Sequence, residues 1–126
     1  MPSYLLRVRD RFEAAHHLTS YRGAPEPSHG HSWQVEVALA TDALDAEGMG
    51  FDFVVVHGAL RDLVSRFDHR DINTVPPFDR VSPTSERLAA WFHQQLAEAL
   101  ADHLGEVGLT EVTVWEGADS SATYRP

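Results

Sequence analysis

A chain of 126 residues, 43% hydrophobic and 23% charged, has the composition of one globular domain spanning residues 1–126. That is enough for a small core, and a chain of this size often gains from oligomerisation. A net charge of −9 excludes the basic face of a general nucleic-acid binder or an anionic-membrane binder; all ten positive charges are arginine, a bias with no functional reading. The lack of cysteine excludes disulfides and a thiol nucleophile, and the opening PSYLLRVRD has no long apolar run, so no typical signal peptide or membrane span is expected and a cytoplasmic location is.

Leu5 to Leu18 reads as a strand, with Leu6, Val8, Phe12, Ala14 and His16 on one face and Asp10 as the exception. Residues 19–28 hold a glycine and two prolines and form a loop. His29 to Thr41 alternates as a second strand, with His29, His31, Trp33, Val35, Val37 and Leu39 on one face. After a polar connector, Asp52 is an N-cap candidate for a helix running to about Phe67, whose apolar stripe is Val56, Leu60, Leu63, Val64 and Phe67. Residues 68–81 are irregular. Ser82 and Pro83 have the pattern of a cap and first helical residue for a second helix ending near Gly105. Leu109 to Glu116 is a third strand, and Ser121 to Tyr124 a short fourth. The order strand, strand, helix, helix, strand, strand predicts an α+β domain with a four-stranded antiparallel sheet.

If the first two strands pair antiparallel, His16, His29 and His31 meet on one face. Three neutral imidazoles suit zinc and leave a fourth position open, the pattern of a catalytic site; iron, nickel or cobalt accept the same donors. Spacing alone is equally compatible with three unconnected histidines at a sheet end. Asp68 beside His69 is a candidate acid/base pair, though a polar loop at a helix end has the same pattern. Glu116 ends an apolar strand, where a carboxylate either meets a ligand or is simply solvated. Glu26 stands in the loop feeding the second strand and, read alone, is an exposed acid. His57, His93 and His103 fall on the predicted helices as ordinary solvated residues, and His17 alternates away from His16.

The stretches FEAAHHL, HGHSWQVEV, GMGFDF, FDHRDIN, SPTSERLAAW and VTVWEG, in this order, resemble the 6-pyruvoyl-tetrahydropterin synthase and 6-carboxytetrahydropterin synthase family over nearly the whole chain. The resemblance implies a tunnelling fold, in which protomers join their sheets into a barrel, commonly a hexamer built as a dimer of trimers, with sites between subunits. It implies that His16, His29 and His31 bind zinc, that Asp68 and His69 belong to the proton-transfer apparatus, and that Glu116 anchors the pterin ring with Thr84 and Ser85 nearby. A carboxylate suits that anchoring because it accepts two N–H donors from the ring edge. A substrate triphosphate implies arginines near the mouth, with Arg22 a candidate.

One position departs from the family pattern. A typical member carries cysteine four residues before the His-Gly-His pair; here that residue is Pro25, which is neither base nor nucleophile. Glu26 stands three before His29, and Glu-x-x-His-Gly-His resembles a variant subgroup in which glutamate replaces the cysteine. That likeness implies carbon–carbon cleavage of 7,8-dihydroneopterin triphosphate to 6-hydroxymethyl-7,8-dihydropterin, a folate precursor, with Glu26 as base. Rival readings are a 6-carboxytetrahydropterin synthase for deazapurines such as queuosine, a 6-pyruvoyl-tetrahydropterin synthase, and a non-catalytic pterin- or zinc-binding homologue. A small cupin-like barrel is disfavoured by the two helices.

Overall fold

The computed structural model describes residues 3–126. Strands β1 (Tyr4–His16) and β2 (His29–Thr41) are followed by helix α1 (Phe53–Val64) and a two-residue strand β3 (Arg70–Asp71). A single 3₁₀ turn at Ile72–Thr74 leads towards helix α2 (Ser85–Leu104), strand β4 (Gly108–Glu116) and strand β5 (Ser121–Tyr124). The sheet order is β3-β1-β2-β4-β5. The predicted four antiparallel strands are all present, but the sheet has five strands and is mixed, because β3 runs parallel to β1 at Ala14–Arg70 and Ala15–Asp71. Two residues carry no periodic signal, so this strand was invisible as a pattern. Both edges of the sheet are short strands.

Alternation decides which face is buried. Val8, Phe12, Ala14 and His16 of β1, and Trp33, Val35, Val37 and Leu39 of β2, turn towards the helices. The helices return the complementary stripes, Val56, Leu60, Leu63 and Val64 from α1 and Leu88, Phe92, Leu96 and Leu100 from α2. Asp10, the exception in the first strand, is half-buried and ion-paired with Arg61 of α1. Phe12 lies at the centre of an aromatic group, its ring 6.0 Å from Trp33, 5.7 Å from Phe67 and 6.3 Å from Phe92. Each such side chain contributes about 1.5–3 kcal/mol by leaving water.

Three boundaries differ from the sequence expectation by more than one residue, each through specific hydrogen bonds. β1 stops at His16 instead of Leu18, because Asn73 takes over the His17 backbone, accepting from its N–H at 2.9 Å and donating to its carbonyl at 3.0 Å. α1 keeps its Asp52 cap, whose carboxylate accepts from Val54 N at 2.9 Å, but ends at Val64. The amides of Arg66 and Phe67 bond back three residues to Leu63 and Val64, and His69 then turns the chain with a left-handed φ of 58°. Phe67 still fills the core from this turn. α2 is capped by Thr84, not Ser82: Thr84 Oγ1 accepts from Arg87 N at 3.1 Å. The Ser82 hydroxyl is engaged elsewhere, accepting from Thr19 N at 3.0 Å.

Candidate active site

The β1–β2 register sets His16 directly opposite His29 and Ala14 opposite His31; the β2–β4 register sets Trp33 opposite Glu116. Paired residues share a face, so three imidazoles and one carboxylate converge at one end of the sheet. Their ligand atoms all lie within 4.8 Å of one another. The rings meet edge to face, with centroids 4.8 Å apart for His16–His29 and 4.7 Å for His29–His31. Trp33 is the floor: fully buried, it donates Nε1–H to Ala14 O at 3.1 Å and meets His16 edge-on at 4.7 Å.

The chemistry of these donors favours a cation. His16 Nδ1 lies 2.9 Å from Pro83 O and His29 Nδ1 lies 3.0 Å from Pro27 O. A carbonyl only accepts, so Nδ1 carries the proton in both rings and a neutral ring directs its Nε2 lone pair inwards. Backbone oxygens that orient metal-binding imidazoles in this way are a recurrent outer shell. His31 Nε2 is buried without an aligned hydrogen-bond partner, although Glu116 Oε1 is 2.8 Å away. Burial pushes the His31 pKa below its ordinary 6.5, with Glu116 opposing and the neighbouring His16 and His29 adding to the fall. Three imidazoles turned inwards, one with a lowered pKa and a buried Nε2 that lacks an aligned partner, fit a divalent metal bound by His16, His29 and His31.

Glu26 joins this group from the loop. Its Oε1 accepts from Leu18 N at 2.9 Å while its own amide donates to Leu18 O at 3.1 Å, so the carboxylate is held 3.8 Å from His29 Nε2. A cavity of about 350 Å³ opens beside it, lined by His16, Glu26, His29, Thr84, Ser85 and Glu116, with Leu18, Tyr21 and Glu86 at its border. The start of α2 therefore faces the histidines. Arg22 stacks its guanidinium over Tyr21 at 5.3 Å, beside the cavity but not in its lining.

Asp68 and His69 lie elsewhere. Together they grip the Glu13 backbone: Asp68 Oδ1 accepts from Glu13 N at 3.0 Å, and His69 N donates to Glu13 O at 2.6 Å. The His69 ring is largely exposed, 3.8 Å from the Asp68 carboxylate, too far for a hydrogen bond. It borders a second cavity of about 530 Å³ with Glu13, His31, Ser32 and Arg70, which shares no lining residue with the Glu26 cavity. A larger hollow of about 730 Å³ along the outer side of α2 takes in none of these residues. Sequence reasoning missed the carbonyls of Pro27 and Pro83 and the Leu18 amide, since backbone groups leave no mark in a sequence. It also separated Glu116 from the histidines, which only the β2–β4 register brings together.

Residues 5–126 match the family model described as 6-pyruvoyl tetrahydropterin synthase. The chain belongs to this family. Similar proteins include 6-carboxy-5,6,7,8-tetrahydropterin synthases of Synechocystis sp. (39% identical, covering 90% of this chain and 86% of that protein) and Aquifex aeolicus (34%, 91% and 93%). Among solved structures, the 6-pyruvoyl tetrahydropterin synthase of Caenorhabditis elegans superposes with a TM-score of 0.84 at 23% identity over 100% of this chain and 97% of that one. A Plasmodium vivax 6-pyruvoyltetrahydropterin synthase carrying a catalytic-residue substitution superposes with a TM-score of 0.81 at 19% identity over 100% and 99%. The tunnelling fold and a pterin enzyme of the 6-pyruvoyl or 6-carboxytetrahydropterin synthase type follow from this membership. Among the described residues no helix is long and apolar enough to cross a membrane.

Proposed function

We propose that the protein is a zinc-dependent enzyme that shortens the C6 side chain of 7,8-dihydroneopterin triphosphate, cleaving a carbon–carbon bond to release 6-hydroxymethyl-7,8-dihydropterin. The observation that carries this reading is Glu26: a carboxylate held in the same cavity as His16 and His29, in a chain with no cysteine to act there. Glu116 accepts N–H donors of the pterin edge, and Thr84 and Ser85 border the ring from the start of α2. The Leu18 amide orients Glu26 through Oε1 and leaves Oε2 to take the proton from the hydroxyl on the second side-chain carbon. As that hydroxyl becomes an aldehyde, the bond between the first and second carbons breaks and its electrons pass into the ring. A proton returned to the first carbon completes the hydroxymethyl group. His16, His29 and His31 would hold zinc, which would polarise side-chain oxygens and so make the adjacent protons easier to remove. Asp68 and His69, from an adjoining subunit of a homo-oligomer, serve proton transfer on the far side of the substrate.

A catalytic glutamate has a parallel in the Plasmodium vivax neighbour, whose catalytic glutamate is replaced by alanine in one solved variant and by cysteine in another. The names of the curated relatives favour a second reading, formation of 6-carboxytetrahydropterin. Product analysis separates the two. Zinc-loaded protein is incubated with 7,8-dihydroneopterin triphosphate beside Glu26→Ala, and pterins are identified by mass spectrometry. A 6-hydroxymethyl product that falls at least about 100-fold in the variant is expected, the scale of losing a positioned base. A 6-carboxy product would favour the second reading, and bound but unchanged substrate a non-catalytic homologue. Full turnover by Glu26→Ala would remove Glu26 from the mechanism.

A further inference from the structure

The carboxylate at the end of β4 lies closer to the histidines than a ring anchor needs to be. Glu116 Oε1 is 2.9 Å from His16 Nε2, 2.8 Å from His31 Nε2 and 4.0 Å from His29 Nε2. This is no accident of a loose terminus. The Glu116 amide donates to Ser120 O at 2.8 Å, and the next amide, Gly117 N, donates to Ser32 O at 3.2 Å in a turn whose glycine has a φ of 76°. With His16 Nδ1–H given to Pro83, Nε2 meets Glu116 Oε1 at 2.9 Å, and on a neutral ring these two atoms would face each other as lone pairs. They repel unless a positive centre stands between them. His31 Nε2 is buried 2.8 Å from the same oxygen and finds no aligned hydrogen-bond partner.

We propose that Glu116 is a fourth protein ligand of the metal in the substrate-free enzyme, closing the site, and that it must leave the metal before it can hold a pterin. The proposal rests on the metal reading above. Three imidazole nitrogens and one carboxylate oxygen complete a four-donor shell, which is a closed arrangement; a catalytic one keeps a position open. A carboxylate that turns both oxygens to two N–H donors of the ring edge withdraws from the metal, so the two-point anchoring of the ring and metal ligation compete. Pterin that draws Glu116 away leaves the metal with three protein ligands and one open position, ready for the side-chain oxygens of a true substrate. Linkage makes the effect reciprocal: a pterin without such oxygens weakens metal binding by the factor by which metal weakens its own binding.

Cobalt(II) is the probe, because its visible absorption reports coordination. Wild type, Glu116→Gln and His31→Ala are titrated with cobalt(II) against a chromophoric chelator, and loaded wild type is then titrated with 6-methylpterin, which has no side-chain hydroxyl. The expected results are an altered spectrum and metal affinity lowered at least about 10-fold in Glu116→Gln, together with a spectral change in wild type on adding 6-methylpterin. Affinity and spectrum unchanged in Glu116→Gln, with His31→Ala losing the metal, would overturn the proposal and leave the three-histidine site standing. Wild type that binds no cobalt(II) would overturn both. Should Glu116→Gln fail to fold by circular dichroism, Glu116→Asp replaces it: the same charge withdrawn by one methylene alters the spectrum if Glu116 is a ligand and leaves it unchanged if it is not.

Discussion

At the scale of single residues, the site is built by protons already committed. Two backbone carbonyls fix Nδ1–H of His16 and His29, and burial lowers the pKa of His31. The last point has a sign. The folded His31 pKa lies below 6.5, whereas the unfolded chain takes up its proton near 6.5. Below that pH the unfolded state binds more protons, so the stability of metal-free protein falls as pH drops through the range between the two values. One proton contributes at most about 1.4 kcal/mol per pH unit. Thermal unfolding of metal-free protein between pH 8 and pH 5 is expected to show this decline, and His31→Gln to lose its share of it; equal slopes in the two proteins would remove His31 as the cause. The convergence of the histidines was legible in the sequence because strand periodicity places His29 and His31 on one face and antiparallel pairing brings His16 opposite His29. Glu26 was legible only as a position three residues before His29, since its orientation depends on the Leu18 amide.

At the scale of elements, turns and caps position the candidates. His69 holds a left-handed backbone, which costs a side-chain-bearing residue roughly 1–2 kcal/mol and a glycine almost nothing. Its amide bond to Glu13 keeps it there. His69→Gly is therefore expected to be about 1 kcal/mol more stable than His69→Ala in denaturant titrations, although both lose the imidazole; an alanine variant as stable as the glycine one would mean the turn is unstrained. At the start of α2, Thr84→Ala removes a cap and is expected to lower stability by about 1 kcal/mol, with Thr84→Ser restoring it. No loss by calorimetry on ligand-free protein would show that the Thr84 hydroxyl contributes nothing to the helix. Both helices and the four longer strands were readable because each carries several turns or alternations of pattern. Strand β3 and the true α2 cap were not, because two residues have no period and the competition between Ser82 and Thr84 is decided by Thr19, more than sixty residues away.

At the scale of the whole molecule, the candidate residues divide between two cavities, and His31 of the histidine cluster borders the one that holds His69. Glu26, Glu116, His16 and His29 border one cavity, and His69 borders another with no shared lining. The sheet meanwhile ends in two short edges, β3 and β5, whose outer sides have no strand partner among the described residues. In the homo-oligomer proposed above, one chain's His69 serves its neighbour's Glu26. That arrangement predicts complementation. Glu26→Ala and His69→Ala are each expected to be nearly inactive alone. Unfolded together in equal amounts and refolded, they form mixed oligomers. A site then works only where a chain with intact Glu26 meets a neighbour with intact His69, about one pairing in four. Recovery of about a quarter of wild-type activity is the expected outcome of the mixture, against none when either variant is refolded alone. If sites were complete within one chain, every chain would carry one defect and mixing would restore nothing.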